Sequence, residues 1–113
     1  MIKKENRLKK RKQFNYLFRN GNRVSNEYLS IVFLKLKTKN FKIGYSINKK
    51  VGKAVTRNKI KRRLKECVLK FSSNILKDYY IIVSAKSEAT TLNFNDLYTA
   101  LFGLFKKANL ICE

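Results

Sequence analysis

Histidine is absent from this 113-residue chain, and acids are scarce: Glu5, Glu27, Glu66, Asp78, Glu88, Asp96 and Glu113 stand singly. A nuclease working through metal ions gathers carboxylates around two cations, and one working by acid–base chemistry needs a titrating pair. Neither constellation can be assembled convincingly from so few scattered groups, so any cleavage the chain takes part in is expected to be performed by another molecule. Proline is missing too, and no repeat or low-complexity linker interrupts the sequence, which reads as one domain over residues 1–113. No apolar run approaches the roughly 18 residues of a membrane helix. The basic start Met1-Ile2-Lys3-Lys4 is not followed by the apolar core of a signal peptide, so a cytoplasmic protein without membrane contact is expected. The two cysteines, Cys67 and Cys112, suggest neither a disulfide framework nor a metal cluster. Cys67 reads as a buried thiol.

What is abundant is positive charge. Lys and Arg number 27 against 7 acids, a formal net charge of +20, while 44% hydrophobic content suffices for a core. Such an excess opposes compaction unless salt or an anionic partner screens it, and nucleic acid is the first candidate. Nine of these cations fall between Lys49 and Lys65 with no acid among them. Ile60, Leu64, Cys67, Val68 and Phe71 recur there at intervals of three and four, predicting a helix from Ala54 to Phe71 that packs one stripe inward. Asn58, Lys61, Arg62 and Lys65 then form an outward row. Arg57 falls at the edge of the stripe, where its stem packs and its guanidinium reaches out, and Lys59 and Arg63 flank the other edge. Arg grips phosphate oxygens with parallel donors, Asn orients a sugar or base edge, and Lys supplies point charge. This mixture suits folded RNA. A merely solvated helix face is the bland alternative, disfavoured by nine like charges without a countercharge.

Elsewhere the pattern predicts an α+β fold in the order α-β-β-α-β-α. Residues 1–9 read as a mobile basic arm. Phe14, Leu17 and Phe18 mark a short helix from about Lys10 to Phe18, stopped near Gly21. Strands are expected over Tyr28 to Leu36 and Lys42 to Asn48, joined as a hairpin through Lys37-Thr38-Lys39-Asn40. In the second, Ile43, Tyr45 and Ile47 face one way, and Gly44, Ser46 and Asn48 offer a small polar surface the other way. The apolar run Tyr79 to Ala85 suits a central strand buried on both faces. Asn93 or Asn95 can cap a last helix carrying Leu97, Leu101 and Phe105. Phe14 and Phe18, one turn apart, are either core or a stacking platform which, with Ser46 and Asn48, would form a cleft for an unpaired strand. Sequence alone does not choose between the two.

The stretch Ile43-Gly44-Tyr45-Ser46-Ile47-Asn48-Lys49-Lys50-Val51-Gly52-Lys53-Ala54-Val55-Thr56-Arg57-Asn58-Lys59-Ile60-Lys61-Arg62 closely resembles the signature of the protein subunit of bacterial ribonuclease P. The likeness extends to Arg7-Leu8-Lys9-Lys10, Phe14, Phe18, Gly21, Val24, the Tyr79-to-Ala85 strand and the C-terminal helix. It implies a compact α/β sandwich whose strand-helix-strand crossover is left-handed, against the general topological preference. It also implies that a large RNA subunit holds catalytic magnesium and removes the 5′ leader of precursor tRNA, while a monomeric protein assists in a 1:1 complex without cutting. By this resemblance Arg57, Asn58, Lys59, Lys61, Arg62 and Lys65 face the catalytic RNA, Lys50 and Lys53 extend the phosphate-binding surface, and Phe14, Phe18, Ser46 and Asn48 line the leader cleft. Val32 stands where relatives carry a cleft tyrosine, so stacking on the leader is either weaker or shifted to Tyr28. Lys59 and Lys65 replace Arg and Asn48 replaces Ser, keeping charge or hydrogen bonding but not the bidentate geometry of Arg. A ribosomal or other structural RNA-binding protein would share charge and size but need no leader cleft. A membrane-active cationic protein conflicts with three strand-like segments.

Overall fold

Alternation along the strands decides the architecture. In the computed structural model of the chain, which describes residues 3–112, β1 (Asn22–Ser25), β2 (Leu29–Lys35), β3 (Lys42–Ile47) and β4 (Tyr79–Ala85) form one sheet ordered β1-β2-β4-β3. Successive side chains of a strand point to opposite faces. Leu29, Ile31, Ile43, Ile81 and Val83 therefore share a core with α2 (Ala54–Phe71) and α3 (Phe94–Lys107), whereas Val32 and Ile82 meet Leu8 and Leu17 beneath α1 (Arg11–Asn20). The sheet lies between α1 on one side and the α2–α3 pair on the other, an α+β sandwich as expected.

The element order is α-β-β-β-α-β-α, one strand more than the sequence suggests. β1 has a single apolar residue, Val24, in four positions, and owes its extended form to antiparallel pairing with β2 rather than to its own pattern. The expected hairpin between β2 and β3 does not form. β4 lies between them, antiparallel to β2 and parallel to β3. The physical reason lies in β4 itself: Ile81, Ile82 and Val83 are fully buried, and a strand buried on both faces satisfies its backbone best with a neighbour on each side.

The stretch expected to be a mobile arm is placed differently from Lys3 onward; Met1 and Ile2 lie outside the described residues. Lys4–Asn6 form a 3-10 turn, the Asn6 side-chain amide donates to the Phe41 carbonyl at 2.8 Å, and the Leu8 N–H donates to the Ile43 carbonyl at 2.9 Å. These bonds attach the segment to the open edge of β3, and Leu8 is buried there.

α2 matches its expected bounds, and Ile60, Leu64, Cys67, Val68 and Phe71 are buried. Phe71 locks the helix to α3 through Phe102 and Phe105, with ring centroids 5.2 and 4.9 Å apart. That contact fixes the rotation of α2 about its axis, and hence which side chains turn outward. Of the two candidate caps for α3, Asn93 serves, its Oδ1 accepting from the Asp96 N–H at 2.8 Å. Among the described residues no helix is long and apolar enough to cross a membrane.

Candidate nucleic-acid interface

Burial of one stripe of α2 leaves its cations on the opposite side. Asn58, Lys59, Arg62 and Lys65 are exposed, and Arg57, Lys61 and Arg63 are half-buried. Among the described residues no cation of α2 forms an ion pair, and the helix carries one acid, Glu66. Like charges one turn apart repel, so this face gains from a polyanion that neutralises several of them at once.

The turn entering α2 is built for position. The Asn48 Oδ1 accepts from the Lys50 N–H at 2.9 Å, Val51 is buried, and the Ser87 hydroxyl donates to the Lys50 carbonyl at 3.3 Å. Gly52 has φ 152°, a backbone state L side chains rarely adopt, and the Arg57 Nε–H donates to its carbonyl at 3.1 Å. Arg57 thus braces the turn from the edge of the apolar stripe. Asn48 likewise has local work as a cap besides being exposed. The first turn of α2 holds no acid, and Lys53 gives it no side-chain cap. Its N–H groups, with the helix dipole and the exposed Lys50 and Lys53 nearby, suit phosphate oxygens.

At the open edge of β3 the elements converge on a cavity of about 650 Å³. Lys61, Arg62 and Lys65 reach it from α2, Arg7 and Lys9 from the N-terminal segment, and Phe14 from α1. Gly44 makes room: a Cβ there would lie 2.5 Å from Phe14 Cζ, so the ring approaches the bare strand closely. Lys65 Nζ stands 5.9 Å from the Tyr45 ring centroid, within cation–π range. Burial, then the neighbouring Cys67, pushes the Tyr45 hydroxyl up from its ordinary range. Burial and then Glu66 push the Cys67 thiol up to about 11. Both groups are neutral at pH 7, and neither is poised as a nucleophile or acid. Among the described residues no three His, Cys, Asp or Glu side chains come together as metal ligands would.

The structure gathers Phe14, Lys61, Arg62 and Lys65 around one cavity and leaves the other expected residues on surfaces beside it. Phe18 lies outside that lining, 41% exposed. Ser46, half-buried, is on the same sheet face as Gly44, and Asn58 and Lys59 sit on the outer side of α2. Val32 is 1% exposed beneath α1 with Leu17 and Ile82, and offers no ring surface. Tyr28 does not replace it, because it packs with the α2–α3 core on the far side of the sheet. Arg7, Lys9 and Tyr45 line the cavity without a local signal in the sequence. The first two look like arm charges until Leu8 anchors them, and Tyr45 looks like core.

The sequence profile of the family Ribonuclease P matches residues 2–109. The ribonuclease P protein component of Clostridium botulinum strain Langeland is 35% identical over 108 residues, covering 95% of this chain and 97% of the relative. Among solved structures, the Staphylococcus aureus RNase P protein superposes with a TM-score of 0.87 at 32% identity, over 94% of this chain and 97% of that one. The Thermotoga maritima RNase P protein gives 0.82 at 28% identity, over 89% and 96%.

Proposed function

The chain belongs to the ribonuclease P protein family, and from that premise we propose that it binds the catalytic RNA through the outward face of α2 and holds the 5′ leader of precursor tRNA against α1 and the sheet. Membership brings involvement in tRNA 5′ processing and an RNA partner. The observation that carries the finer assignment is the cavity where Lys61, Arg62 and Lys65 meet Phe14. It sets phosphate-binding cations beside an aromatic ring, the pairing that single-stranded RNA needs, since the backbone is anionic and every base has a face that stacks. Lys50, Lys53, Arg57, Asn58 and Lys59 continue the cationic surface onto the catalytic RNA, while Phe18, Ser46 and Asn48 continue the leader cleft.

In this assignment the protein contributes binding and charge neutralisation, and the RNA performs the hydrolysis. Magnesium supplies Lewis acidity and an activated water when held at such a centre. The scattered acids of this chain do not fit a site for it, and in this reading the RNA holds the ion. By covering phosphates the cations of α2 lower the magnesium concentration that the RNA needs to hold its fold and its substrate. The protein acts in the cytoplasm as a monomer in a 1:1 complex.

The test adds purified protein to a bacterial ribonuclease P RNA at low magnesium and follows precursor tRNA cleavage. Stimulation is expected. In Arg62→Ala assembly with the RNA should weaken, with the salt slope reduced by about one unit for the lost phosphate contact. Folded protein that leaves a competent RNA unstimulated would overturn the assignment in favour of a structural RNA-binding role.

A further inference from the structure

Four serines stand in one row across all four strands. Ser25 of β1 faces Ser30 of β2, Ser30 faces Ser84 of β4, and Ser84 faces Ser46 of β3. Strand alternation puts them on the face that α1 covers, one step along from Val32, Ile82 and Gly44. Three strand spacings give the row a length of about 14 Å. α1 runs beside it, with Phe14 over Gly44 of β3 at one end and Gly21, just past its last residue, against Val32 of β2 at the other.

These hydroxyls are not used by the fold. Among the described residues none of the four makes a hydrogen bond to the protein, although Ser30 is only 7% exposed. No buried side-chain oxygen or nitrogen among the described residues lacks a partner. What stays open of Ser30 therefore includes its Oγ. A sheet face under a helix ordinarily carries apolar side chains, as the adjacent Val32 and Ile82 do. An Oγ left open in this way is hydrogen-bonded by solvent in the free protein, and an external ligand offering a matching donor and acceptor can take the solvent's place.

The chemistry of the row limits that ligand. Serine hydroxyls are too short and too polar to stack on bases, a task the rings of Phe14 and Phe18 can perform. They both donate and accept, which matches the ribose 2′-hydroxyl, itself donor and acceptor. Resting on the leader-binding assignment above, we propose that Ser30, Ser84 and Ser25 extend the cleft from Ser46 across the sheet and hold the sugar edge of the leader, so that the protein distinguishes a ribose leader from a deoxyribose one. The leader then lies parallel to α1, bases toward the helix and sugars toward the strands.

The experiment uses the protein assembled with a bacterial ribonuclease P RNA and measures the dissociation constants of three precursor tRNAs. One has an RNA leader, one the same leader with 2′-deoxyribose, and one no leader. The RNA leader should bind about three- to tenfold more tightly than the deoxy leader, the scale of one or two hydrogen bonds. Ser84→Ala and Ser30→Ala, checked for unchanged thermal unfolding, should remove most of that preference and leave the deoxy leader and the leaderless tRNA unaffected. A ribose preference that is absent from the unaltered protein, or that survives both substitutions, overturns the inference, as does equal weakening of both leaders. Phe14→Ala separates this outcome from failure of the leader assignment. If Phe14→Ala still selectively weakens leader-bearing substrates, the cleft stands and only the serine row is refuted; if it weakens all three tRNAs alike, the cleft itself is refuted.

Discussion

On one face of the sheet α2 and α3 bury Leu64, Val68, Leu97, Leu101 and Phe105, while on the other α1 alone presses Leu17 onto Val32 and Ile82, with Leu8 beside them. The first face carries the larger core, packed by rings and aliphatic chains. The second leaves a cavity at the β3 edge and a line of hydroxyls next to its small core. The larger core lies where two helices meet, and the proposed leader site where one short helix leaves the sheet partly uncovered. α2 belongs to both regions, since its inward stripe supplies core and its outward row supplies charge.

Substitutions can break that division of labour. The largest effect is expected from Leu101→Ala on the α2–α3 face, where Leu101 is fully buried. Deleting its side chain should cost about 2–5 kcal/mol in denaturant unfolding, with the salt slope of RNA binding unchanged in the folded fraction. A loss under about 1 kcal/mol would mean that stability is not concentrated there. On the thinly covered face Gly44→Ala drives a methyl into the Phe14 ring, whose Cζ lies 2.5 Å from where the new Cβ would be. Overpacking of about 1–3 kcal/mol should follow, and, because Phe14 must shift, leader-bearing tRNA should lose more affinity than mature tRNA. Equal losses for the two would separate Phe14 from the leader.

The smallest effect is one of pH and belongs to the seam between the regions. Cys67 ordinarily ionises at 9.0 and is pushed up to about 11, first by burial and then by Glu66. Between those values the unfolded chain has released a proton that the folded chain keeps. The stability this group contributes is therefore complete below pH 9.0 and declines as the pH climbs to about 11. The raised Tyr45 hydroxyl acts in the same direction. Unfolding free energies of Cys67→Ala should fall less steeply over that range than those of the unaltered chain, and an identical slope would contradict the assignment.

Much of this was legible in the residues. The period of Ile60, Leu64, Cys67, Val68 and Phe71 located α2 end to end, because an 18-residue amphipathic helix repeats its signal several times. β4 was equally plain from its unbroken apolar run. β1 was not, since four residues with one apolar side chain carry no period, and its hydrogen bonds belong to β2. The pairing of β2 with β4 rather than β3 was hidden for a related reason: a short connection suggests a hairpin, but burial on both faces of β4 takes the central place in the sheet. The docked Lys4–Leu8 segment reads as a mobile arm because its charges suggest solvent, whereas Asn6 and Leu8 bond to the Phe41 and Ile43 carbonyls.

Charge sign, the absence of histidine with the scarcity of acids, and the division of α2 into an apolar and a cationic side follow from composition and spacing, because each is a property of one segment or of a sum over residues. The meeting of Arg7 and Lys9 with Lys61 and Lys65, the loss of Val32 and Tyr28 as stacking surfaces, and the alignment of Ser25, Ser30, Ser84 and Ser46 were decided by the tertiary structure alone. Those relations depend on strand order and register, which long-range backbone pairing settles and which no local pattern of side chains encodes.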